Sequence, residues 1–206
     1  MAKELMKKYR YEDCAVIALG DGGVMVGAQI ASSLHCVLTM LLTAPINLPN
    51  EHDELAEINQ TGTVTYNDMY SAGELEELKG EFFNFIEQQK LERIFEMNRL
   101  LGDGGLISPD LLKNRNIILV SDGLANGMSL TAAADYLKSI KIKRLVVATP
   151  FASVSAVDIM HVLADEIVCF NVIEDIISIN HYYEEQDVPS HDVVLKTLEE
   201  IILKWK

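Results

Sequence analysis

Residues 116–140 read NIILVSDGLANGMSLTAAADYLKSI: an apolar run, a turn of small residues and a helical pattern in succession. The run from Ile117 to Val120 is apolar at every position, as expected of a strand buried on both faces of a parallel sheet. Leu130, Ala133, Ala134, Leu137 and Ile140 recur at the spacing of one helical face. Between them lies a turn of mostly small residues: Ser121, Asp122, Gly123, Leu124, Ala125, Asn126, Gly127, Met128 and Ser129. In a strand–turn–helix of this kind, backbone N–H groups at the helix N-terminus point at an anion, and the helix dipole favours negative charge there. Gly123 and Gly127 allow close approach of the backbone, and Ser129 adds a hydroxyl donor. A carboxylate such as Asp122 suits the hydroxyls of a sugar better than a phosphate, because it can only accept hydrogen bonds. The same nine residues also suit a plain βα connection in which Ser129 merely caps the helix, and spacing alone leaves both readings open.

Four more apolar runs have strand character: Cys14–Leu19, Cys36–Leu41, Leu145–Ala148 and Ile167–Phe170. Helical patterns separate them. Val24, Gly27, Ala28, Ala31 and Leu34 form one, and Val154, Val157, Met160 and His161 another. Val194, Leu198, Ile201, Ile202 and Trp205 form a closing amphipathic helix with Ser190 as its N-cap. Strand and helix alternate, so the predicted fold class is α/β, a doubly wound and mainly parallel five-stranded sheet. A second small-residue turn, Gly20, Asp21, Gly22 and Gly23, follows the first strand. It too can present N–H groups to an anion, against the charge of Asp21, or it can serve only to reverse the chain. Residues 47–116 break the alternation and read as an insertion. Thr63, Val64, Thr65 and Tyr66 suggest a hairpin arm. Residues 73–101 form a long helical stretch, with Leu75, Leu78, Phe82, Phe85 and Ile86 on one side.

The composition bounds the function. The chain has 206 residues, enough for one domain carrying an insertion. Its net charge is −14, from 31 acidic and 17 basic side chains. So acidic a chain lacks the broad basic surface that nucleic-acid phosphates require, and an anion site must work locally. Cys14, Cys36 and Cys169 are far apart and form no Cys-x-x-Cys pair, so they read as reduced thiols rather than zinc ligands. The first ten residues are charged and no apolar run reaches the length of a membrane span, so a cytoplasmic protein without a membrane partner is expected. The five histidines, His35, His52, His161, His181 and His191, show no metal spacing. They read as surface or satisfied core residues, with His181 set apart only by its position. Phe82, Phe83 and Phe85 crowd the long helix, which suggests pairing of two copies into a homodimer.

With both turns in order, the sequence resembles the type I phosphoribosyltransferases, in particular a bacterial group of predicted phosphoribosyltransferases. The family signature is an apolar strand, two adjacent acids, a spacer, Thr-Gly-x-Thr or Ser, and a helix. Its counterpart here is the 117–120 strand, then Ser121 and Asp122, then Asn126, Gly127, Met128 and Ser129. The likeness also takes in the Gly22–Gly23 turn, the hairpin arm, the long helix and the segment His181, Tyr182, Tyr183. The resemblance implies a five-stranded core with a hood over the carboxyl ends of the strands. It implies binding of phosphoribosyl pyrophosphate with Mg²⁺, and transfer of ribose 5-phosphate to a nitrogen base. Carried over, Ala125, Asn126, Gly127, Met128 and Ser129 bind the 5-phosphate. Ser121 and Asp122 face the ribose, with Asp122 the catalytic carboxylate. Gly20, Asp21, Gly22 and Gly23 face the pyrophosphate, and the 181–183 segment contributes to the base pocket. Three positions depart from the pattern. Ser121 replaces an acid, Asn126 replaces Thr, and Asp21 stands where this group has Arg. A non-catalytic binder of a nucleotide or sugar phosphate on the same fold is therefore the second reading, because the 5-phosphate loop is better kept than the pyrophosphate turn.

Overall fold

A computed structural model describes residues 1–49, 53–101, 107–184 and 189–203. Within them the chain divides into two compact units, one of residues 1–41 and 107–206 and one of residues 42–106.

The first unit is built on five parallel strands in the order β2-β1-β6-β7-β8. These are β1 (Cys14–Leu19), β2 (Val37–Leu41), β6 (Asn116–Val120), β7 (Arg144–Ser153) and β8 (Glu166–Ile173). Each predicted strand is present. Their runs are apolar throughout because both faces are covered. Gly27 of α2 (Gly20–Leu34) lies against Val16, Ala18 and Leu38 on one face. On the other, Ala15, Ile17, Leu19, Ile117 and Leu119 join Leu130, Ala133 and Leu137 of α5 (Met128–Leu137) and Ala156 and Met160 of α6 (Val154–Leu163) in one buried cluster. The sheet is doubly wound, as expected. β1 is flanked by β2 and β6, so the connections leave it in opposite directions. The crevice outside the carboxyl ends of β1 and β6 is therefore the topological switch point, where open α/β sheets bind ligands.

Two strand ends differ from the sequence reading. β7 runs through Pro150 to Ser153, five residues past Ala148. A proline lacks the N–H that a ladder uses and argues against a strand from sequence alone. β8 is an edge strand, and Phe170 and Val172 on it are more than half exposed. The closing helix α7 (His191–Leu203) starts one residue after Ser190, whose carbonyl accepts the N–H groups of Val193 and Val194. Trp205 lies outside the described residues. An N-terminal helix, α1 (Ala2–Tyr9), was not expected. It buries Leu5 and Tyr9, and the Tyr9 hydroxyl donates to Glu166 at 2.6 Å.

The second unit carries a three-stranded antiparallel sheet, β3 (Thr43–Asn47), β4 (Glu54–Asn59) and β5 (Val64–Tyr66). The predicted hairpin arm is β4–β5. The expected long helix is two helices, α3 (Ala72–Glu81) and α4 (Phe83–Leu101), broken at Phe82. Ser71 and Glu74 close a reciprocal capping box at the start of α3. The glycine-rich break at 102–105 and His52 lie outside the described residues.

Among the described residues no helix is long and apolar enough to cross a membrane. Cys14, Cys36 and Cys169 are all free. Burial pushes the Cys14 thiol up to about 11 and the Cys36 thiol up to about 12, so both stay protonated at neutral pH.

Candidate functional site

The two turns picked out from the sequence follow β1 and β6, the neighbouring strands at the switch point. The first is not a loop ahead of a helix, as its glycines suggest, but the opening turn of α2, which begins at Gly20 with φ of 68°. Its N–H groups have no partners inside the helix. Asp21 is the acid of that first turn, where a carboxylate favours the helix dipole by a few tenths of a kcal/mol to about 1 kcal/mol.

The second turn is pinned at several points. Ser121 is buried, and its hydroxyl donates to the Gly123 carbonyl at 2.7 Å while accepting the Gly123 N–H at 3.2 Å. Leu124 bridges to the extension of β7: its N–H donates to the Phe151 carbonyl, and its carbonyl accepts from Ser153. Asn126 Oδ1 accepts the Met128 N–H at 3.1 Å. Gly127, at φ of 74°, is the N-cap of α5 and has no side-chain cap. Ser129 therefore does not cap the helix, which removes the plain-turn role considered for it. Its hydroxyl has no hydrogen bond among the described residues, and the first-turn N–H groups beside it lack intrahelical acceptors. Ala125 and Asn126 are exposed, and Met128 turns its side chain into the core, so it can reach a ligand only through the backbone N–H that donates here to Asn126 Oδ1.

The two turns meet at Gly22 and Asp122. A Cβ on Gly22 would stand 1.9 Å from Asp122 Oδ2 and 2.3 Å from its Cγ. Only a residue without a side chain allows that approach. Burial raises the Asp122 carboxyl above the ordinary aspartate range, against hydrogen bonds from backbone N–H groups and the Ser121 hydroxyl that lower it.

The segment 181–183 also reaches this turn. Tyr183 donates its hydroxyl to the Asp122 carbonyl at 2.6 Å. The rings of Tyr182 and Tyr183 lie 5.0 and 5.9 Å from that of Phe151, and the Phe151 ring closes on Gly123. Burial, reinforced by Asp122, pushes the Tyr183 phenol up to about 12, so it is a donor throughout the neutral range. His181 stacks edge-on against Tyr182 and makes no contact with the turn that the structure records. Replacing Tyr183 by Phe removes one partly buried hydrogen bond. It should cost about 1 kcal/mol of stability in urea unfolding and weaken any ligand held by Asp122.

Sequence reasoning missed two participants. Phe151 follows Pro150, beyond the point where the strand was expected to end. His191 is 170 positions from its partner, yet its Nδ1 is 2.8 and 2.9 Å from the two carboxylate oxygens of Asp21. The only sequence signal for it was its place just after Pro189 and Ser190, at a helix start.

No family model matches the sequence. Two Mycobacterium tuberculosis proteins, named "Putative phosphoribosyl transferase Rv0571c" (strain H37Rv) and "Putative phosphoribosyl transferase MT0597" (strain CDC 1551), are 26% identical over 189 residues. The match takes in 90% of this chain, which spans only 42% of the length of those relatives. The crystal structure of TT1426 from Thermus thermophilus superposes with a TM-score of 0.69 at 24% identity, over 99% of this chain and 93% of that one. The resemblance to phosphoribosyltransferases read from the motifs is thus shared by curated relatives along nearly the whole chain, and TT1426 has the same fold.

Proposed function

We propose that this chain is a phosphoribosyltransferase that binds phosphoribosyl pyrophosphate and transfers ribose 5-phosphate to a nitrogen base. One observation carries the reading. Two helix N-termini, those of α2 and α5, flank the switch-point crevice and are held together by the Gly22–Asp122 contact. Two separate sets of outward N–H groups with a carboxylate between them match a ligand with a phosphate, a polyol and a second phosphate group in that order. Asn126, Gly127, Met128 and Ser129 would take the 5-phosphate, Asp122 the ribose hydroxyls, and the first turn of α2 the pyrophosphate. Tyr182 and Tyr183, packed on the buried Phe151 ring, offer aromatic surface beside the sugar position, suited to a base.

Displacement at C1 of the ribose passes through an oxocarbenium-like state. The residues of this chain would act by positioning the donor and by holding its hydroxyls on the Asp122 carboxylate. Magnesium is a separate matter. No group of three or more His, Cys, Asp or Glu side chains gathers into a metal cage among the described residues, and Asp21 is engaged by His191. The described side chains form no cage of three or more ligands for a protein-held Mg²⁺, so no step is assigned to the metal. An ion already chelated by the diphosphate remains compatible, since Mg²⁺ keeps most of its ligands from water and phosphate.

A second reading, a non-catalytic nucleotide or sugar-phosphate binder, is favoured by Asp21 in the pyrophosphate turn and by Ser121, whose hydroxyl is spent inside its own turn. The test is release of pyrophosphate from phosphoribosyl pyrophosphate across a panel of purine and pyrimidine bases. Base-dependent release supports the transferase. Release at background with every base, together with tight binding of nucleoside monophosphates, replaces it with the binder.

A further inference from the structure

We propose that His191 is the positioning residue that lets the first turn of α2 accept a diphosphate despite Asp21. The inference rests on the reading that this turn faces the pyrophosphate end of a donor.

Asp21 carries its charge at the N–H end of α2, where an incoming anion would have to sit. Left alone, its carboxylate repels that anion and competes with it for the same N–H groups. Its two oxygens instead lie 2.8 and 2.9 Å from His191 Nδ1, in a pair that is mostly out of solvent, with side chains 31% and 18% exposed. A bond of this kind fixes where the carboxylate points. A protonated imidazole also brings the pair to zero net charge, and a neutral one still donates its Nδ1 proton to the carboxylate.

The charges carried by α2, β2 and the first turn of α7 leave this task to His191. α2 contains no basic residue, and His191 is the only basic residue in the first turn of α7. Both α2 and β2 pack against α7, and β2, Val37–Leu41, has no titratable side chain. Asp192 adjoins His191 on α7, and Asp122 stands behind Gly22. Among the described residues of α2, β2 and the first turn of α7, the charged groups near this turn are Asp21 and Asp192 opposite His191, with Asp122 behind Gly22. The Arg expected in this turn from the family resemblance is thus replaced by a two-residue device, an acid with its counter-ion supplied from the other end of the chain. It keeps the turn from being strongly repulsive without making it strongly attractive. The consequence is selective: the device acts on the diphosphate end and leaves the 5-phosphate loop of α5 untouched.

The experiment is calorimetric titration of the full chain with two probes, inorganic pyrophosphate and adenosine monophosphate, at constant pH. The proteins compared are the parent, His191→Ala, His191→Asn, Asp21→Asn and Asp21→Asn with His191→Ala. Losing His191 alone should weaken pyrophosphate binding by about tenfold or more, while adenosine monophosphate stays within about twofold. His191→Asn, which keeps a neutral donor, should fall between. The double variant should recover parental pyrophosphate affinity to within about threefold, because the charge that needed compensation is gone. Thermal melts identify any variant that fails to fold. Should His191→Ala be one, Asp21→Asn carries the test, since removing the charge should not weaken pyrophosphate binding. Parental pyrophosphate affinity in His191→Ala, no recovery in the folded double variant, or weakened binding in Asp21→Asn overturns the proposal. A parent that binds the monophosphate but no pyrophosphate overturns it too, and leaves the 5-phosphate loop standing. A parent that binds neither probe overturns the proposal and the functional reading together.

Discussion

A Gly22→Ala protein should remain folded and lose its affinity for phosphoribosyl pyrophosphate by about a hundredfold or more, close to 3 kcal/mol. The added methyl would stand 1.9 Å from Asp122 Oδ2, far inside contact distance, so one of the two must move. Asp122 is the softer partner, because its carboxylate ends a rotatable side chain. Rotating it away takes the carboxylate, which the proposed function assigns to the sugar hydroxyls, off the axis between the two helix N-termini. The cost to folding should be that of ordinary overpacking, about 1–3 kcal/mol. Two companion substitutions separate the effects. Gly23→Ala drives its methyl to 2.7 Å from the Val120 carbonyl oxygen, which is backbone and cannot rotate aside, so it should damage the fold more than the site. Gly73→Ala, in α3 with nothing within 4 Å, should be neutral or stabilising by up to about 1 kcal/mol. Urea unfolding alongside calorimetry distinguishes the three. Retained donor affinity in Gly22→Ala would remove Asp122 from the site.

Glu57→Gln should make the protein more stable at neutral and alkaline pH, by an amount that grows as pH rises from about 4.5 to about 7 and is constant above that. Glu57 lies on β4 between Pro45 and Thr65 and is 6% exposed. Burial pushes its carboxyl up to about 7, opposed by a hydrogen bond from Thr43 and assisted by Glu54. The folded value is above the unfolded one near 4.5, so the neutral acid is the form the fold prefers. Its contribution is complete below about pH 4.5 and is lost as pH rises through about 7. Above that window the parent bears a penalty of about 3 kcal/mol, the cost of ionising a buried carboxyl that titrates at about 7 rather than about 4.5. Glutamine has no charge to bury. In urea unfolding from about pH 5.5 to 8.5, the advantage of the variant should rise and then level off above about pH 7. A difference that stays constant across this range would show that Glu57 does not titrate in the fold.

The parallel sheet was legible because burial on both faces writes continuous apolar runs. β1 begins and ends where its run does, at Cys14 and Leu19. The second unit was legible only in part, for an equally physical reason. β3 contains Pro45, and β4 contains Glu54 and Glu57, residues that argue against a strand unless the tertiary setting is known. Residues 73–101 kept a helical pattern across a break at Phe82 that periodicity does not register. At the site, both turns could be read locally, since strand, small residues and helix are contiguous. The contacts that join them could not. Gly22 against Asp122, Tyr183 on the Asp122 carbonyl and His191 on Asp21 bring together residues far apart in sequence. Only the β2-β1-β6 strand order and the packing of α7 on α2 place them side by side.

On the proposed function, a phosphate sits on the N–H groups that open α5. Amide ¹H–¹⁵N spectra recorded while ribose 5-phosphate is added give the decisive test. The largest shifts should fall on Asn126, Gly127, Met128 and Ser129, with smaller ones at Asp122 and Gly22, and all should saturate together. Shifts confined to other parts of the chain, or none at millimolar ligand, would contradict the assignment of this turn as the phosphate site.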